Sequence, residues 1–250
     1  MAKALVVGNW KMYVNSLAEG KKLLHAIYKK LPRGGKATVV VCPPMPLVVA
    51  LKAGYRGRKI ALGAQDCFFK PEGAHTGETS PRALAQSGIE YVILGHSEQR
   101  ALGETNETVA KKVAAALAEK LKPIICVSER ERDSNGAYLG VFAKDIAESL
   151  SRAEAAHAAK ITIAYEPVWA IGGEEPPPPH AIMEMTIFIR KTLAEMWGRE
   201  AAFKVRIIYG GSVNATNAPA IAAGAKVSGV LPGHHSVNAD SFAAIVRAFS

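Results

Sequence analysis

Three segments of the chain each run from apolar residues into side chains that can hold or move a proton. "ALVVGNWK" leads into Asn9 and Lys11, "YVILGHSEQR" into His96, Ser97, Glu98 and Arg100, and "ITIAYEP" into Glu166. A cation, an imidazole and a carboxylate, each at the end of an apolar run, make a set able to transfer protons. Taken singly, each has a plainer reading. A lysine near an N-terminus is usually a surface residue, and a lone histidine is more often structural than catalytic. Glu166 is harder to dismiss, because an unpaired carboxylate in an apolar stretch is costly. Two further runs end in glycine-rich turns, "YGGSV" (209–213) and "LPGHHSV" (231–237). Such turns serve as strand-to-helix connections, and also as backbone N–H cradles for a phosphate.

The runs that carry these groups read as strands. Eight β-rich segments, "ALVVG", "ATVVVC", "IALGA", "EYVIL", "PIICV", "ITIAY", "VRIIY" and "VSGVL", are nearly continuous in apolar residues. Parallel strands covered on both faces have that pattern. Between them lie helical periods: Leu24, Ile27, Tyr28 and Leu31; Val109, Val113, Ala116 and Leu117; Ile182, Met185, Ile189 and Leu193 behind Pro179; Phe242, Ile245, Val246 and Phe249. "APAIAAG" is a short helix. Strands alternating with helices over 250 residues predict an α/β fold, a single-domain (β/α)8 barrel spanning 1–250 without a linker. A doubly wound sheet is the competing architecture. It would carry a glycine fingerprint after its first strand, which "VVGNWK" lacks. In a barrel the active end is where the strands' C-termini lie, and all the groups above fall there.

Composition narrows the function classes. With 49% hydrophobic residues the chain can bury a large core. No apolar run reaches membrane-spanning length, and the N-terminus lacks the pattern of a signal peptide, so a soluble, cytoplasmic protein is expected. The net charge of +9 accompanies no zinc finger or RNA-binding aromatic run. It predicts a basic surface suited to small anionic substrates and no nucleic-acid partner. Cys42, Cys67 and Cys126 are odd in number and widely spaced, as buried reduced thiols are. His234 and His235 are adjacent and have no further ligand spaced for a metal.

The motifs taken together resemble the triosephosphate isomerase family nearly end to end. The resemblance rests on "GNWKM" (8–12), "GAHTGETSP" (73–81), "YVILGHSEQR" (91–100), "PIICV" (123–127), "AYEPVWAIG" (164–172) and "YGGSV" (209–213), in the family's order and spacing. It implies an isomerase that interconverts dihydroxyacetone phosphate and glyceraldehyde 3-phosphate, with no metal and no organic cofactor. Glu166 matches the general base and His96 the neutral imidazole that polarises the carbonyl and shuttles protons between the two oxygens. Lys11 matches the cation that binds the substrate and stabilises the enediolate, and Asn9 positions these groups. Glu98 matches a supporting acid beside Lys11, and Cys126 a packing residue near the base. Residues 167–175 match the lid, with Pro167 and Trp169 at its first hinge. Phosphate donors are expected at Gly172 or Gly173, Ser212, Gly233 and His234. The loop 73–81 matches the one that enters a partner subunit, so a homodimer or a dimer of dimers is expected, with Thr76 approaching the partner's active site.

The chain also departs from the family pattern. Glu174, Glu175 and Pro176 to Pro179 replace the usual end of the lid, predicting a stiff second hinge. "PGHHS" (232–236) replaces a glycine-rich turn, and a histidine at 234 would be strained if its φ were positive. Ser128 opens an unusual segment, "SERERDSNGAY". Gln99 and Tyr13 stand at positions near the family's subunit contact. These departures leave a second reading, a catalytically weakened barrel that binds phosphate or acts as an interaction protein. A third is another phosphate-binding barrel isomerase, which "NWK" and "GHSE" disfavour.

Overall fold

The computed structural model describes residues 3–129, 132–168 and 176–250. Eight parallel strands close into a barrel in chain order: β1 Leu5–Asn9, β2 Thr38–Cys42, β3 Ile60–Ala64, β4 Tyr91–Leu94, β5 Lys122–Val127, β6 Thr162–Tyr165, β7 Arg206–Tyr209 and β8 Gly229–Val230. Each predicted strand segment overlaps one of them, with β1 running one residue further at its end and β5 beginning one residue earlier. The main outer helices are α1 Leu17–Lys30, α2 Met45–Gly54, α3 Pro81–Gln86, α4 Ser97–Ala101, α5 Asn106–Ala118, α6 Tyr138–Ser149, α7 Pro179–Trp197, α8 Arg199–Lys204, α9 Ala218–Gly224 and α10 Ala239–Ala248.

The continuous apolar runs follow from two cores. Leu5, Val7, Val40, Ile93, Ile124 and Ile208 point into the barrel. Their strand neighbours, Val6, Val39, Val41, Val92, Ile125 and Ile207, point outward against the helices. Alternate side chains face opposite sides of a sheet, so a strand buried on both faces needs apolar residues at every position. The helices begin where local chemistry lets them. Ser16 accepts the Glu19 N–H ahead of α1, Thr105 accepts the Thr108 N–H ahead of α5, and Asn238 accepts two N–H groups ahead of α10. Pro179 occupies the first turn of α7, where its missing N–H does no harm.

The last strand is shorter than the segment 227–231 predicts. Only Gly229 and Val230 pair, the first with Leu5 of β1. Gly229 has φ +146°, and a Cβ placed there would stand 1.8 Å from the Leu5 carbonyl oxygen. The barrel closes through a backbone approach that only glycine permits.

Candidate active site

The predicted groups meet at the C-terminal end of the strands, in a cleft of about 240 Å³ lined by Lys11, His96, Glu166, Ser212, Gly233 and His234. Larger hollows of about 590 and 700 Å³ lie elsewhere, but neither gathers a lysine, a histidine and a carboxylate. The cleft is set apart by its chemistry, not its size.

Lys11 leaves β1 in a left-handed backbone conformation, φ +45°. A non-glycine residue is held there at roughly 1–3 kcal/mol, and the surroundings must enforce it. Two amide side chains do so. The Asn9 side-chain oxygen accepts the Lys11 N–H at 3.0 Å, and Gln65 Nε2 donates to the carbonyls of both Lys11 and Cys42. The Lys11 ammonium then reaches Glu98 Oε1 at 2.6 Å. Asn9 is itself buried, and its carbonyl accepts from Ser236 Oγ, which ties the first loop to the turn after β8.

His96 forms the N-cap of α4. Its Nδ1 accepts the Glu98 N–H at 3.2 Å. An accepting Nδ1 carries no proton, so in the neutral ring the proton sits on Nε2. That Nε2 lies 3.5 Å from Glu166 Oε1. Glu166 directly follows β6 and is 1% exposed. Its Oε2 accepts a long bond of 3.4 Å from the Ser97 N–H, while Oε1 has no hydrogen-bond partner among the described residues. Gly210 makes room for it, since a Cβ there would come within 2.7 Å of the Glu166 Cγ. Burial, and then the neighbouring Glu166 carboxylate, hold the Cys126 thiol well above its usual range. Cys126 is therefore a neutral packing group against the acid.

Glu129 and Arg132, after Ser128, meet the residue before Glu166. Tyr165 donates to the buried Glu129 carboxylate at 2.5 Å, and Arg132 donates to both Glu129 and the Tyr165 oxygen. Across the cleft, His234 opens a short 3-10 turn, His234–Val237. It is not among the residues with positive φ, so the condition for strain at this position is not met. Its ring packs edge-on against Tyr13 at 5.2 Å, joining two positions that depart from the family pattern. His235 also lines the cleft; burial, then its neighbour His234, lower its pKa. Among the described residues, no cluster of three His, Cys, Asp or Glu could hold a metal ion. Gly172 and Gly173, with Trp169, Glu174 and Glu175, lie outside the described residues.

Sequence reasoning found Lys11, His96, Glu166, Asn9, Glu98, Cys126, Ser212, Gly233 and His234, and the structure brings all of them to this end of the barrel. It did not find Gln65, Ser97 as a contact of the base, Gly210 or His235. Gln65 follows the "IALGA" strand directly, so the strand-end rule that found Glu166 could have found it.

The profile of the triosephosphate isomerase family matches residues 4–249. This chain belongs to the triosephosphate isomerase family. It is 42% identical to the triosephosphate isomerase of Carboxydothermus hydrogenoformans, over 99% of each chain. It is 43% identical to that of Moorella thermoacetica, again over 99% of each. A third relative, the triosephosphate isomerase of a Roseiflexus species, is 41% identical over 99% of this chain and 98% of its own length.

Proposed function

We propose that Glu166, His96, Lys11 and Asn9 carry the reaction of this triosephosphate isomerase, the interconversion of dihydroxyacetone phosphate and D-glyceraldehyde 3-phosphate in glycolysis. The reading is that Glu166 removes the proton from the carbon beside the substrate carbonyl. The His96 Nε2–H polarises the carbonyl oxygen and then moves a proton between the two oxygens. The Lys11 cation stabilises the enediolate charge. Glu166 returns its proton to the neighbouring carbon. The phosphate rests on backbone N–H groups at Gly172 or Gly173, Ser212, Gly233 and His234. Residues 167–175 act as the lid that keeps water from the intermediate.

The observation that carries this reading is the orientation of His96. Its Nδ1 is occupied by the Glu98 N–H, so its proton-bearing nitrogen faces the unpartnered oxygen of Glu166. The 3.4 Å contact from Ser97 is long for a hydrogen bond, so the carboxylate is released easily when substrate arrives. Replacing the base by its amide, Glu166→Gln, is expected to lower kcat by about 10²–10⁴-fold with the fold intact. A variant with most of the parental kcat would remove Glu166 from this role.

The reading extends to assembly and place. The protein is proposed as one domain, 1–250, that pairs into a homodimer through 73–81, with a dimer of dimers as the larger form. Support comes from the exposure of Thr76, Gly77 and Glu78, and from Met12, next to Lys11, and Leu102, four residues after Glu98, which are 84% and 82% exposed. Its glycolytic role points to the cytoplasm. Among the described residues no helix is long and apolar enough to cross a membrane.

A further inference from the structure

We infer that Arg100 is a positioning residue for this proton transfer, a guanidinium strut that fixes the His96 loop onto the end of β5. The inference rests on the roles proposed above for His96 and Glu166. Arg100 lies in α4, four residues after His96, and its side chain turns back beneath the loop. Its Nε donates to the Gly95 carbonyl at 2.8 Å. One terminal nitrogen donates to Asn106 Oδ1 at 2.6 Å. The other donates to Ser149 Oγ at 3.2 Å and, at 3.5 Å, to the Cys126 carbonyl. The Gly95 carbonyl belongs to the planar peptide unit whose nitrogen is that of His96, so holding the oxygen sets where the imidazole starts. The Cys126 carbonyl belongs to the strand whose thiol packs on Glu166. One planar cation thus touches the backbone that leads into His96 and the strand whose thiol lies against Glu166.

The space is cut to this group. Gly95 has φ +70°, and a Cβ there would lie 2.9 Å from an Arg100 terminal nitrogen and 3.3 Å from the Cys126 carbonyl oxygen. The far end of the strut is anchored in turn. Ser149 Oγ donates to Asn106 Oδ1, and Asn106 Nδ2 donates to Asp145 at 2.8 Å and Glu148 at 3.0 Å. The side chains of α5 and α6 therefore hold the guanidinium, and the guanidinium holds the loop. A lysine has no rigid fork to reproduce these directions. Arg100 does not line the cleft, so it acts through His96 and not on the substrate.

The test compares kcat and KM for Arg100→Met and Asn106→Ala, each alone and combined with His96→Gln. Arg100→Met is expected to lower kcat by about 10²-fold, the effect of a misplacement of about 1 Å. KM should stay within about twofold, because the phosphate turns are untouched. Asn106→Ala loosens the anchor and should lower kcat by about tenfold, again with little change in KM. In the His96→Gln background, Arg100→Met should add less than about a threefold further loss, since its effect runs through the imidazole. A folded Arg100→Met protein with parental kcat overturns the inference, as does the full Arg100→Met loss repeated on top of His96→Gln. So does an Asn106→Ala protein with parental kcat should Arg100→Met fail to fold. His96→Gln with parental kcat would instead overturn the proposed roles at the site, so the two failures are separable.

Discussion

At the scale of single residues, burial decides what each group can do. A carboxylate at 1% exposure with one unpartnered oxygen is the kind of arrangement a stable core avoids and a reacting site needs. That much was readable, because Glu166 interrupts an apolar run, and Lys11 and His96 stand at matching strand ends. What could not be read was the support. Gln65 acts by reaching the carbonyls of Lys11 and Cys42, which come together only after β1, β2 and β3 pair. The three thiols carry a consequence for pH. Burial raises the pKa of Cys42 and Cys126 well above the ordinary thiol value, and pushes Cys67 up to about 12. A folded-state pKa above the unfolded one gives stability that is complete below the unfolded value and is lost as pH rises toward the folded one. Stability to urea is therefore expected to fall as pH climbs through about 9, by up to about 1.4 kcal/mol per pH unit for each thiol. Cys67→Ala should lessen that slope. Urea melts of both proteins at pH 8 and pH 10 check it, and an equal slope in the two would contradict the burial argument.

At the scale of elements, the strands were legible and the helices only partly so. A buried parallel strand announces itself by apolar residues at every position. α2 is as apolar as a strand, "MPLVVALKAG", so periodicity cannot separate the two. β8 spans two residues, and its first must be glycine because of a constraint that lies in another strand, the Leu5 carbonyl against Gly229. Gly229→Ala should therefore destabilise the barrel by more than about 4 kcal/mol, or prevent folding, because the clash is with backbone and φ is positive. Thermal melting by circular dichroism measures it, and a melting point near the parental value would show that β1 and β8 can part without loss. The turn after β8 gives the opposite lesson. From sequence His234 would be strained only if its φ were positive, and its backbone fits a 3-10 turn with φ outside the left-handed region. The contact of its ring with Tyr13 shows two departures from the family pattern meeting across 221 positions of chain.

At the scale of the whole molecule, the closed barrel turns residues far apart in sequence into one cleft, and the surplus of +9 charges favours an anionic substrate. A second chain belongs to the proposal, because Gly73, Ala74, Thr76, Gly77 and Glu78 of the 73–81 loop are exposed, as are the large apolar side chains of Met12, Tyr13 and Leu102. Light scattering at micromolar concentration should give twice the mass of one chain or more, and a fully active monomer would contradict the pairing. The central claim is that this chain moves a proton between adjacent substrate carbons through Glu166. Its most direct test is to supply dihydroxyacetone phosphate in deuterated water and read the glyceraldehyde 3-phosphate formed by NMR. The account predicts product formed far above the protein-free rate, with deuterium at the carbon beside the carbonyl, and the rate at which labelled product forms falling by about 10²–10⁴-fold with Glu166→Gln. Product and label at the parental rate from that variant, or no product from the parent protein, would contradict it.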